Sequence, residues 1–180
     1  VGRLPGALAA LEEALALARR LADPQEEVGT LAKLADLLAR QGDFPAAAHY
    51  ARDGLALAEG VGNPTYGAWN RRDLGQALAA MGDVEAGLAH LVRAAETFTA
   101  HAWRAMLAGT LLRQGLIHQM AGDYEQAIAI LEKVVVLSRE TREAYEEAYA
   151  LAVLGEARLM LGDAEAGRRD LKTAATALPQ

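Results

Sequence analysis

Residues 41–44 read QGDF, and the same corner returns as MGDV at 81–84, AGDY at 121–124 and LGDA at 161–164. Gly-Asp thus recurs every forty residues without drift. A fixed period of this size marks a repeat array, in which each unit is too small to bury its apolar face alone and stacks on its neighbours. Other columns keep the register. Seven residues before each turn glycine stand Ala35, Gly75, Gly115 and Gly155; five after it stand Ala47, Gly87, Ala127 and Gly167. Nine after it come Leu91, Leu131 and Leu171, with Ala51 as the exception. Small residues at fixed offsets on two helical stretches have a packing cause: where helices cross at close range, only a hydrogen or a methyl fits between the backbones.

The corner itself has a mechanism. Gly42, Gly82, Gly122 and Gly162 fall just past the end of a first helix, where a left-handed residue satisfies the last carbonyls. Asp43, Asp83, Asp123 and Asp163 then cap a second helix by accepting its free N–H groups, and Asp123 with Gln126 has the spacing of a capping box. The prolines agree. Pro5 and Pro45 fall in the first turns of second helices, and Pro24 and Pro64 open first helices after Asp23 and Asn63 as caps. Pro179 follows the last helix. Residues 4–22 therefore read as a second helix without its first, and four hairpins follow.

Composition supports helix. The 180 residues are 52% apolar, dominated by Ala and Leu, with only nine aromatics. Cysteine is absent, so no disulfide or thiolate chemistry is available, which fits a reducing, cytoplasmic location. Glu12 and Glu13 interrupt the apolar start, which argues against a signal peptide, and no apolar run is long enough for a membrane span. Net charge is −6 with no basic stripe, which excludes nucleic acid as an expected partner. The chain lacks an initiator Met, so a fragment of a longer protein is expected.

The columns of small residues around Gly-Asp-aromatic, seen best in GDF at 42–44 and GDY at 122–124, resemble the tetratricopeptide repeat across essentially the whole chain. The period of forty exceeds the commoner thirty-four, and the proline that ends the motif's second helix is missing. Forty-residue variants are similar to those of bacterial multidomain signalling regulators and of some cargo or scaffold adaptors. The resemblance implies an all-α fold: an α-solenoid, a right-handed superhelix of stacked antiparallel helical hairpins. It would hold about four and a half repeats and nine helices in a single domain over 1–180. The half repeat covers 1–22, and repeats follow at about 23–62, 63–102, 103–142 and 143–180. The residue pattern of chaperone-binding members is not visible, since Lys33 and Arg72 lack the accompanying asparagines.

Catalytic sets are missing. His49, His90, His101 and His118 never pair at ligand spacing on one helix, so no metal is expected. Ser138 is the only serine and has no nucleophile elbow around it. GVGNPTYG at 60–67 lacks the ending of a phosphate loop and reads as a connection between hairpins. Glu140, Glu143, Glu146 and Glu147 with Arg139 and Arg142 read as a solvated mixed-charge face. The expectation is a non-enzyme without cofactor.

In a curved stack, the first helices line the inner surface. A stripe at i, i+4, i+8 reads Ala32-Asp36-Arg40, Arg72-Gln76-Ala80, Leu112-Leu116-Met120 and Ala152-Glu156-Met160. Such a concave groove suits a peptide or protein, with Trp69, Arg72, Asp73, Gln76, Leu112, Arg113, Leu116, Met120, Tyr149 and Glu156 as contact residues. Leu112 and Leu116 could equally pack on the fourth repeat. One column reads Gly29, Trp69, Gly109, Tyr149, so a bare glycine between two aromatics would form a slot, with Tyr66, Trp103 and Tyr145 near its rim; packing against neighbouring helices is the alternative. Gln114, His118 and Arg158 occupy interior columns, as a hydrogen-bonded network or as a ligand contact. Two functions follow: a protein- or peptide-binding sensor module of a larger signalling protein, or a scaffold joined end to end through its uncapped ends.

Overall fold

A computed structural model describes residues 4–177. The described residues form nine α-helices and no strand: α1 (Leu4–Arg20), α2 (Pro24–Gln41), α3 (Phe44–Gly60), α4 (Pro64–Ala80), α5 (Val84–Ala100), α6 (Arg104–Met120), α7 (Tyr124–Thr141), α8 (Ala144–Met160) and α9 (Ala164–Ala177). The architecture is an all-α solenoid. Pro179 lies outside the described residues.

Corners fall where glycine permits them. Gly42, Gly82, Gly122 and Gly162 have φ of 82°, 98°, 79° and 87°. At Gly42 the backbone N–H reaches back to the Ala39 carbonyl and that of Asp43 to the Leu38 carbonyl, which closes the last turn of α2. The carboxylates of Asp43, Asp83 and Asp163 accept from the N–H groups of Ala46, Ala86 and Ala166. Asp23 and Asn63 cap α2 and α4 in the same way. Asp123 corrects the capping expectation. Its carboxylate makes no cap and no capping box with Gln126; it turns back to His118 Nδ1, 3.0 Å away.

The connections between hairpins use the left-handed region as well. Ala22, Gly62, Ala102 and Arg142, again forty apart, have φ of 52°, 68°, 55° and 61°. Only Gly62 is free of the Cβ penalty there. Replacing Ala22, Ala102 or Arg142 by Gly should therefore raise stability by about 0.5–1 kcal/mol each, after allowing for the looser unfolded chain. Urea midpoints check this, and lower midpoints for all three variants would contradict the backbone geometry.

The chain divides into two compact units, Val1–Thr97 and Phe98–Gln180, the divide falling within α5. In the first unit α2 packs on α1, α3 and α4, and α3 packs on α4. Its core is built from alanines and leucines: Leu15, Leu31 and Leu34 at one end, and Ala35, Leu38, Ala47, Ala51, Leu74 and Ala77 further along. One contact is keyed. Asn70 of α4 is fully buried, donates from Nδ2 to the Tyr66 carbonyl at 2.8 Å, and occupies the space beside Gly54 of α3. A Cβ on Gly54 would lie 2.2 Å from Asn70 Oδ1.

In the second unit α6 packs on α7 and α8, α7 on α8, and α8 on α9. Its core joins Leu112 of α6, Leu131, Val134 and Val135 of α7, and Leu151 and Leu154 of α8. In both units glycine also meets glycine, backbone to backbone, where two helices cross. A Cβ at Gly75 would meet the Gly87 carbonyl oxygen at 2.7 Å, and one at Gly155 the Gly167 carbonyl oxygen at 2.8 Å.

Candidate functional site

The groove residues sort by unit. On α4, Arg72 donates from Nε to Asp73 Oδ1 at 2.8 Å and lies 3.7 Å from Asp36 of α2, which also takes Arg40 Nε at 2.8 Å. Asp73 is only 1% exposed, so it does not present itself to a ligand; its role is to hold Arg72. The expectation of Asp73 as a contact residue is thereby corrected: an acid beside a buried arginine is drawn inward by the pairing. Burial opposes the charge on Arg72, but Asp73 and Asp36 outweigh it and raise the guanidinium's pKa. Gln76 is half-buried. Trp69 is half-buried too and meets the Tyr66 ring edge-on, with centroids 5.5 Å apart.

On α6, two residues leave the expected groove. Leu112 is buried in the core formed with α7 and α8, and Leu116 packs against the same cluster, so these leucines join the third repeat to the fourth. The methionines at the ends of α6 and α8 do the opposite. Met120 is 86% exposed and Met160 63% exposed. Beside them Gln119 Nε2 donates to Glu156 Oε2 at 3.0 Å, from α6 to α8. Tyr145 and Tyr149 of α8 are exposed, with ring centroids 6.4 Å apart. They border an apolar cleft of about 370 Å³ floored by Ala148, Ala152, Leu171 and Ala174.

No bare slot exists at the glycines of the aromatic column. Tyr66 lies over Gly29, with ring atoms 3.0–3.3 Å from where a Cβ would be. Arg113 folds back over Gly109 and donates from Nη1 to the Gly109 carbonyl at 2.9 Å. Trp103 stacks on His101 at 4.9 Å and lies 6.1 Å from Phe98. The interior polar residues divide as well. His118 pairs with Asp123, and Gln114 is buried. Arg158 bridges Asp170 of α9 and Glu132 of α7, a network between helices.

His90 of α5 packs against Gly75, and its Nδ1 is buried without a hydrogen-bond partner. Burial, with the charges of Arg71, Arg93 and Arg52, holds its pKa below the ordinary 6.5. The unfolded chain therefore takes up this proton first. Stability is full above about pH 6.5 and falls as pH drops toward and through the lowered folded value. His90→Gln should flatten the fall in urea midpoint between pH 7.5 and 5.5 (about one unit either side of the unperturbed histidine value). An unchanged slope would contradict the environment described for His90.

Among the described residues no group of three His, Cys, Asp or Glu could hold a metal ion, and no helix is long and apolar enough to cross a membrane. Residues 28–61, which span most of α2, the Gly42 corner and α3, match the family model of the tetratricopeptide repeat. That match covers one tetratricopeptide repeat, and the rest of the described chain shares the α-solenoid fold. Solved structures of the same fold cover nearly all of it. BtubC (BKLC) from P. vanneervenii is similar with a TM-score of 0.84 at 20% identity, over 98% of this chain and 73% of that one. Kinesin light chain-like TPR repeats from Podosopora anserina give 0.74 at 15% identity, over 98% and 87%. MamA gives 0.64 at 18% identity, over 98% and 93%. None of the curated proteins matches this chain in sequence. The fold is one generally used for protein interaction and generally non-catalytic.

Proposed function

We propose that this chain is a non-catalytic protein- or peptide-binding module, the sensor or interaction part of a larger signalling or regulatory protein. The observation that carries the reading is the exposed pair Met120 and Met160, at one column of the packed helices α6 and α8. Methionine is unbranched and polarizable, and suits a surface that adapts to a peptide. Gln119 and Glu156 stand beside the pair as polar groups that would fix register. Arg113 belongs to the same proposed surface, with Tyr149 at its edge; Trp69, Arg72 and Gln76 are proposed as contact residues of the Val1–Thr97 unit by itself. The absence of cysteine fits a cytoplasmic setting.

Selection of a displayed peptide library on the chain tests this. Peptides recovered should lose about tenfold in affinity to a Met120→Ser/Met160→Ser variant, the scale of a buried methionine's apolar contact. Helicity should stay unchanged, because neither methionine is in the core. Recovered peptides that bind the variant as tightly as the parent would refute the methionine surface.

A second reading, assembly end to end, has its own observation. The apolar face of α8 and α9 bordered by Tyr145 and Tyr149 is exposed, whereas α8 itself covers the corresponding face of α6 and α7. Concentration-dependent sedimentation that Tyr145→Ser/Tyr149→Ser abolishes would favour the scaffold. A monomer at all concentrations would remove it.

A further inference from the structure

In the Val1–Thr97 unit a cleft of about 520 Å³ opens between the end of α3, the start of α4 and the second half of α5. The forty-residue register shows why it is open. At the column of Gly67 stand Glu27, Leu107 and Glu147. Glu27 holds Arg19 at 2.7 Å and Glu147 holds Arg139 at 2.7 Å, so a side chain and an ion pair stand there in those repeats. Gly67 supplies neither. A Cβ on it would meet only Ala58, at an ordinary 3.6 Å, so close packing does not demand this glycine. A glycine inside a helix without such a reason weakens the helix.

Three further columns change character around the same cleft. Arg71 stands where the other repeats have Leu31, Leu111 and Leu151; its side chain is 20% exposed. Thr97 stands where they have Leu17, Leu57, Leu137 and Ala177, and Glu96 where they have Ala16, Ala56, Val136 and Thr176. Polar groups thus enter two otherwise apolar columns at one place, Glu96 puts a charge in a third, and all of them line the cleft. Local rules broken together in an otherwise consistent array are what a functional or strained site leaves in a sequence. The floor stays apolar through Leu55, Ala58 and Ala68.

The charges are arranged for a ligand of both signs. Arg71 Nη2 reaches Glu59 Oε1 at 2.9 Å. Arg93 and Glu96, one turn apart on α5, make no ion pair among the described residues. Glu59 lines the cleft beside Arg71, so the Arg93 guanidinium is the cation there without a carboxylate partner among the described residues.

We infer that this cleft binds a small zwitterion of the amino-acid or short-peptide class: its carboxylate on the Arg71 and Arg93 guanidiniums, its ammonium on Glu96, and an apolar side chain over Leu55, Ala58 and Ala68. Guanidinium is the preferred protein group for a carboxylate. The volume lies within the range of small-ligand sites, with room for a dipeptide.

Calorimetry on the whole chain, with four probes, tests the inference. L-leucine and L-leucyl-L-leucine carry both charges, N-acetyl-L-leucine lacks the ammonium, and L-leucinamide lacks the carboxylate. At least one zwitterion should bind at millimolar concentration or below, and the two blocked probes should bind about tenfold more weakly or not at all. Gly67→Leu, which installs the residue found at Leu107, should abolish binding while the urea midpoint stays level or rises. Arg71→Leu should do the same. Glu96→Gln should lower the affinity for the zwitterion to that for N-acetyl-L-leucine. Silence from both zwitterions, N-acetyl-L-leucine binding as tightly as leucine, or unchanged binding by well-folded Gly67→Leu would each overturn the inference.

Discussion

Gly75→Leu should destabilise the chain by about 3 kcal/mol or more, the upper range for forcing volume into a close-packed contact. The obstacle is backbone. The first carbon of the new side chain would sit 2.7 Å from the Gly87 carbonyl oxygen, with Leu91 Cγ at 2.9 Å, and a carbonyl inside a helix cannot rotate away. Only separation of α4 from α5 relieves the clash, and that separation opens a helix crossing. Gly155→Leu should behave alike, since the Gly167 carbonyl oxygen lies 2.8 Å from its Cβ position. Gly115→Ala is the control. Its new methyl would meet only carbons of the Leu131 side chain, at 2.8 Å, and a side chain has other rotamers. Its loss should be about 1 kcal/mol. Urea unfolding followed by circular dichroism measures all three, and equal losses for Gly75→Leu and Gly115→Ala would refute the distinction between backbone and side-chain obstacles.

Arg158→Leu should cost about 3 kcal/mol, whereas Arg158→Leu/Asp170→Leu should return to within about 1 kcal/mol of the parent. Asp170 is 7% exposed, and Arg158 links it to Glu132 across three helices. Removing the arginine alone strands a buried carboxylate without its counter-charge, the costly half of breaking such a pair. Removing both leaves the columns without a charge pair, as in the other repeats, where they hold Leu38 with Tyr50, Leu78 with His90, and His118 with Ile130. A double variant as unstable as the single one would show that the network itself, not the stranded acid, carries the effect. A silent single change would show that Asp170 has no need of Arg158.

The sequence makes the corners readable because glycine and aspartate there act through the backbone, and backbone demands repeat with the period. The left-handed residues at 22, 102 and 142 escape such a reading, since alanine and arginine bear no mark of the φ they adopt. Asp123 shows the limit of a local rule: a histidine five residues earlier in the chain takes the carboxylate that spacing assigns to a cap. The candidate surface was harder to see for a related reason. A stripe at helical spacing gives direction along a helix but not what the neighbour contributes, so Leu112 and Asp73 turn inward and Arg113 covers the glycine left bare on paper. Met120 and Met160 sit at helix ends, where little remains to cover them, and their exposure depends on facts that column arithmetic does not contain.

The fit of Asn70 into the space beside Gly54 bears on how a chain of near-equivalent units avoids mistakes. Were every interface interchangeable, a helix could land one unit early or late, and two chains could trade hairpins, with little penalty. The other second helices present Ala14, Ala94, Val134 and Ala174 at the column of Gly54, so each carries a methyl or more where the amide must go. Asn70 therefore works as an address for one pairing: among the second helices, α3 is the one whose glycine leaves room for it.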